Sequence, residues 1–179
     1  GQLFEPTDKQ SVAPRDHPAN GDAMQVVMRG SGYGMEVKAI TSFLGTPCNP
    51  PPWGQLLSVD LTAGTIEWRQ PLGSVHEMAP INLPFKLNWG TPNLGGGIAT
   101  EGGLFFIAAA MDRTLRAFDT DSGELLWSQQ LPVDGTATPL SYHYRGRQYI
   151  VINAGGHMMF NRPRGDYIIA YALPDGESQ

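Results

Sequence analysis

The chain is short of cysteine: Cys48 is the only one in 179 residues. It allows no internal disulfide and no cysteine-based zinc cage, and leaves the redox compartment open between cytoplasm and periplasm. Charge is scarce too, at 16%, which is too little for a disordered or solvating segment. Twelve Lys and Arg against seventeen Asp and Glu give a net charge of −5, and the basic residues form no run. That removes the positive stripe needed to grip a nucleic-acid backbone. No apolar stretch approaches the roughly 20 residues of a membrane-spanning helix, and Gly1 opens no signal-peptide pattern. The segment itself is expected to be soluble. Uninterrupted helix-forming sequence is also lacking, since 22 Gly and 15 Pro punctuate the chain and argue against a helical bundle. The 41% of hydrophobic residues nevertheless suffices for a core.

What the chain does have is a repeat. Ser58 to Trp68 and Ala117 to Trp127 place Asp, Gly and Trp at the same spacing: Asp60, Gly64 and Trp68, then Asp119, Gly123 and Trp127, 59 residues on. A shorter copy begins at Ile168, where Ala170, Tyr171 and Gly176 match Ala117, Phe118 and Gly123 at an offset of 53, without its Trp. Each copy reads as strand, tight turn, strand, because Asp accepts backbone amides in a turn and Gly supplies the positive φ. Apolar runs precede them: Gly102 to Ala110 before the second copy, then Thr138 to Tyr144 and Arg147 to Ala154 flanking an Arg-Gly turn before the third.

The expected class is all-β, a partial β-propeller of two to three four-stranded antiparallel blades. Coincidental hairpins in a β-sandwich are the alternative. Blades are expected over 39–179, with the last one incomplete as in a sector of a longer protein. Residues 1–38 read as loop or insertion. Thr46 to Trp53, rich in proline, reads as a rigid extended connection. Trp68 and Trp127 recur at a core-like place and are assigned to packing between blades.

Registering the units places Trp53 and Asp112 at equivalent positions, seven residues before their signature Asp. Registering Ile107 on Ile152 puts His157 there as well. An aromatic plate, a carboxylate and an imidazole thus fall at the exits of successive second strands, on one face. They suit the stacking of a flat ligand and hydrogen bonding to a polar substrate. Gly95, Gly96 and Gly97 permit close backbone approach to a ligand or to another strand.

The strings TPCNPPPWG, LGGGIATEGGLFFIAAAMDRTLRAFD, INAGGH and RGDYIIAYALPDG resemble the carboxy-terminal part of the membrane-bound quinoproteins that use pyrroloquinoline quinone (PQQ). The likeness is to the glucose dehydrogenase and quinate/shikimate dehydrogenase branch, and covers about Ala39 to Gly176. It implies a sector of an eight-bladed ring with PQQ on the axis and a divalent cation, Ca or Mg, beside it. It also implies oxidation of a sugar or cyclic polyol, electron transfer to ubiquinone, and a site at the periplasmic face of the inner membrane, held by an amino-terminal anchor outside this sequence. By the same resemblance the catalytic base and the cation ligands belong to earlier blades, so neither a catalytic residue nor a metal ligand is expected here. Asp112 and His157 match pocket residues, and the Gly95 and Gly96 backbone would lie near the cofactor. Trp53 matches a Trp-Gly pair.

After His157 the chain departs from the glucose enzymes with Met158 and Met159, then Asn161, Arg162, Pro163 and Arg164. Either Arg162 or Arg164 could pair with a substrate carboxylate, favouring quinate or shikimate. The competing class is a non-catalytic propeller scaffold that binds proteins, disfavoured because it has no reason to place Asp112 and His157 beside a glycine-rich contact. The segment alone is expected to be inactive, since part of a ring encloses no cofactor.

Overall fold

Stretches of β-branched and aromatic residues between turns rich in Gly, Asp and Ser become short strands in the computed structural model, which describes residues 2–4, 24–27, 30, 32–37, 40–42, 46–77, 87–156 and 162–173. The central sheet is a complete antiparallel unit in the order β6 (Gly97–Ala99), β7 (Leu104–Ile107), β8 (Thr114–Asp119) and β9 (Leu125–Gln130). It is one whole blade. Before it comes a hairpin of β4 (Gln55–Asp60) and β5 (Thr65–Pro71), equivalent to β8 and β9. After it comes a sheet of β10 (Leu140–Tyr144), β11 (Arg147–Gly156) and β12 (Arg164–Tyr171), equivalent to β6, β7 and β8. Among the described residues these two are partial blades.

The repeat is reproduced bond for bond. The Asp60 carboxylate accepts the N–H groups of Thr62 and Ala63, and the Asp119 carboxylate those of Asp121 and Ser122. Gly64 and Gly123 follow at φ 69° and 73° and donate back to the carbonyls of Asp60 and Asp119. The bulge between Ser58 and Val59 recurs between Ala117 and Phe118, which sets Trp68 opposite Ser58 and Trp127 opposite Ala117. Pairing also agrees between the second and third blades: Ile107 faces Arg116, and Ile152 faces Ile169. The Arg-Gly turn joins β10 to β11, with φ 52° at Arg145 and 78° at Gly146.

Strand residues alternate sides, so each blade must bury both faces. Leu72, Ile107, Ala109 and Phe118 bury against Leu56 between the first and second blades. Ala108, Leu115, Leu131, Val133, Ile152 and Ala154 bury with Ile169 and Tyr171 between the second and third. The core is therefore two layers between blades. Trp68 staples the first of them near the turns: its Nε1 donates to the Thr120 carbonyl at 2.9 Å, and its ring fills the space a Cβ on Gly123 would need. Trp127 meets the Tyr171 ring edge-on at 5.4 Å.

The segment read as loop or insertion carries a further sheet, in the order β1 (Gln2–Phe4), β3 (Gly34–Val37), β2 (Met24–Val27). Strands of three or four residues are too short to show a period against a background of Pro and Gly, and only their mutual pairing defines them. From 48 to 54 no strand forms, as the prolines require.

Candidate active site

The excursion between β7 and β8 begins with four buried residues, Ala108 to Met111, and turns at Asp112 and Arg113, the latter at φ 53°. This return brings Arg116, four residues on, back over Asp112. Its Nη1 donates to Asp112 Oδ1 at 3.0 Å and its Nη2 to Oδ2. Oδ2 also accepts the backbone N–H of Ser74 at 2.8 Å, from the stretch after β5 of the preceding blade. Asp112 is 5% exposed. Its carboxylate lies at the expected strand exit, but both oxygens are engaged within the protein and join two blades. Beside it, Thr91 is fully buried and accepts the Met111 N–H at 2.9 Å.

Trp53 holds the equivalent place in the first blade. The Gly54 carbonyl accepts the Leu72 N–H at 2.9 Å just as that of Arg113 accepts Leu131 at 2.6 Å. The Trp53 ring, however, is committed locally: its Nε1 donates to Asn49 O at 2.7 Å, and it meets Trp89 edge-to-face at 6.1 Å. Glycine permits two chain segments to touch here. A Cβ on Gly54 would stand 2.0 Å from the Thr91 carbonyl, and one on Gly90 2.2 Å from that of Gly54.

Gly95 and Gly96 use their freedom for strand contact. The Cβ of any larger residue would fall 2.3 Å from Thr136 O at position 95 and 2.5 Å from Thr138 Oγ1 at position 96. The entry of the third blade therefore packs against the side of both glycines where a Cβ would stand. Arg162 requires a correction. Its fork is occupied by Asp134, with Nε to Oδ2 at 2.8 Å and Nη2 to Oδ1 at 2.9 Å, so it is not open to a substrate carboxylate. Arg164 opens β12, exposed and without an ion pair among the described residues. His157, Met158, Met159 and Asn161 lie outside the described residues.

Asp134 has no counterpart among the expected site residues, although a signal for it exists. Gly90–Thr91 and Gly135–Thr136 are 45 residues apart, the offset that relates Ile107 to Ile152. That register sets Asp134 at the position of Trp89, at the entry of a blade beside a strand exit. Nothing in the local sequence foretells its partner 28 residues away.

Antiparallel blades packed face to face on a Trp-stapled repeat are the frame of a propeller. Residues 2–150 match the family described as PQQ, glucose/ethanol/alcohol dehydrogenase, β-propeller domain. The chain belongs to this family. It is 43% identical over 152 residues to quinoprotein glucose dehydrogenase A of Acinetobacter calcoaceticus, covering 84% of this chain and 19% of that protein. It is 40% identical to a probable quinate dehydrogenase (quinone) of Xanthomonas campestris pv. juglandis, over 94% of this chain and 22% of that one. With the glycerol dehydrogenase large subunit of Gluconobacter thailandicus it shares 39%, over 97% of the chain and 24% of the relative. The chain thus spans about a fifth of the length of these PQQ-family relatives. Among its described residues no group of three or more His, Cys, Asp or Glu side chains is placed to hold a metal ion.

Proposed function

We propose that this chain forms carboxy-terminal blades of a PQQ-dependent dehydrogenase that oxidises a sugar or polyol, with quinate, shikimate or glucose as the leading candidates. PQQ supplies the two-electron acceptor. Ca or Mg beside it, and the carboxylate that takes the hydroxyl proton, come from blades outside this sequence. Ubiquinone is the proposed electron acceptor. The proposed setting is the periplasmic face of the inner membrane, with the anchor also outside this sequence.

The observation that carries this reading is the Asp112 exit. An acid buried by its own arginine and by the amide of the neighbouring blade is costly to maintain and adds little net stability as such, yet it fixes the geometry of an axial wall. In this reading Asp112 shapes that wall, while His157 hydrogen-bonds the substrate from the next exit. Arg164, exposed and without an ion partner among the described residues, is the group proposed to meet a substrate carboxylate. A scaffold that binds proteins has no use for such a wall.

Full-length protein reconstituted with PQQ and either Ca or Mg should reduce an artificial dye with at least one of glucose, quinate, shikimate or glycerol. Failure with all four substrates, with both cations and with PQQ shown to be bound, would end the proposal. A preference for quinate over glycerol would place the acidic polyols ahead of the neutral ones.

A further inference from the structure

A single residue holds both ends of the connection from β11 to β12. At its start, the N–H of Gly156 donates to the Asp134 carbonyl at 2.9 Å, and Thr136 Oγ1 donates to the Gly156 carbonyl at 3.3 Å. At its end, the Arg162 guanidinium forks onto the Asp134 carboxylate at 2.8 and 2.9 Å. Asp134 is fully buried and the Arg162 side chain only 11% exposed. The ends also press on each other, since a Cβ on Gly156, at φ 79°, would stand 2.1 Å from the Pro163 carbonyl.

Among the described residues the second blade has no such latch, and its geometry explains why none is needed. Ile107 pairs with Arg116 nine positions on, while Ile152 pairs with Ile169 seventeen positions on. The excursion in the third blade is eight residues longer. The short one is braced from within by Asp112 and Arg116, whereas a longer one has more conformations to restrict. At the equivalent of Asp134 the second blade carries Trp89, which takes part in an edge-to-face contact with Trp53.

We infer that Asp134 is a positioning residue, which clamps the two ends of the β11–β12 connection and so fixes what that connection presents to the substrate. This rests on the proposal that His157 contacts the substrate. If the carboxylate is lost, the two charge-assisted bonds that anchor Arg162 go with it, and the end of the connection that they hold is released. Misplacement of a binding group by about 1 Å can cost on the order of 100-fold.

The test uses full-length protein in two arms. Without PQQ, limited trypsin digestion should cleave after Arg164 about tenfold faster in Asp134→Asn than in the parent, with the global unfolding midpoint measured alongside. With PQQ bound, Asp134→Asn should raise KM for the preferred substrate 10- to 100-fold, and the same change in a His157→Ala background should add less than threefold. Unchanged cleavage after Arg164 overturns the inference, as do KM effects of the two variants that multiply in full. If His157→Ala alone leaves KM unchanged, the assignment of His157 fails, and the digestion arm still decides the role of Asp134. Should Asp134→Asn fail to fold, the pair Asp134→Asn with Arg162→Gln, which removes both members of the ion pair, takes its place. Fast cleavage is again expected, and cleavage at the parent rate overturns the claim.

Discussion

Replacing Arg116 by Met should cost more stability than replacing its partner Asp112 by Asn. The Asp112 side chain is 4% exposed and that of Arg116 13%. Without the guanidinium, Oδ1 loses its donor, and a carboxylate on a short side chain buried between two blades keeps only the Ser74 amide. Removing one member of a buried pair costs about 3–5 kcal/mol. Asp112→Asn retains an oxygen for the Ser74 N–H and leaves Arg116, on a long stem, able to carry its charge toward water, so about 1–2 kcal/mol is expected. The double variant, with no charge left behind, should fall closer to the Asn single than to the Met single. Denaturant unfolding followed by tryptophan fluorescence measures all three. A cost below about 1 kcal/mol for Arg116→Met, the range of solvated surface pairs, would refute the brace between blades, and so would an inverted order of the two singles.

Trp68→Phe keeps most of the ring and loses the Nε1–H bond to the Thr120 carbonyl, for which about 1 kcal/mol is expected in the same unfolding experiment; no loss would mean that water replaces the staple at no cost. The Ser122 amide first, then its hydroxyl and the Asp121 amide, hold the Asp119 carboxyl below its ordinary 3.8. Its contribution to stability is thus present above pH 3.8 and is lost as pH falls through the lower folded value. Asp119→Asn should therefore flatten the decline of stability in that acid range, and an unchanged slope would remove Asp119 as a source of it. In the full-length enzyme, Arg164→Ala should raise KM for quinate about tenfold, on the order of one charge-assisted contact, and leave glycerol unaffected; equal effects would unseat the proposed carboxylate contact.

The blades were legible because two kinds of residue make their turns obligatory. Asp60 and Asp119 can only serve the amides two and three residues on by bending the chain, and Gly64 and Gly123 accept the positive φ that follows. Their identical spacing fixed the hairpins, and the apolar runs before them supplied the inner strands. Registering on that spacing also placed Trp53 beside the same backbone hydrogen bond that Asp112 flanks. The sheet made by β1, β3 and β2 carried no such mark. Strands that short depend on their pairing partners, which for β1 lie some thirty residues away, and pairing leaves no period in so few positions.

For the site, the repeat gave locations but not occupancy. It set Asp112 at a strand exit, yet not whether its carboxylate would face a ligand or its own Arg116. That depends on the φ of 53° at Arg113, a conformation that an Arg seldom adopts and that its sequence does not announce. Gly95 and Gly96, whose lack of a side chain allowed approach by a ligand or by another strand, have the next blade against one side, because the chain must pack strand against strand before it can line a cavity. Arg162 and Asp134 mark the deeper limit. Two side chains 28 residues apart meet only because β10 and β11 fold back between them, so chemistry alone left Arg162 looking like a free cation. A buried carboxylate next to a glycine-threonine strand entry therefore calls for a search for its cation on the following excursion, before that cation is assigned to a ligand.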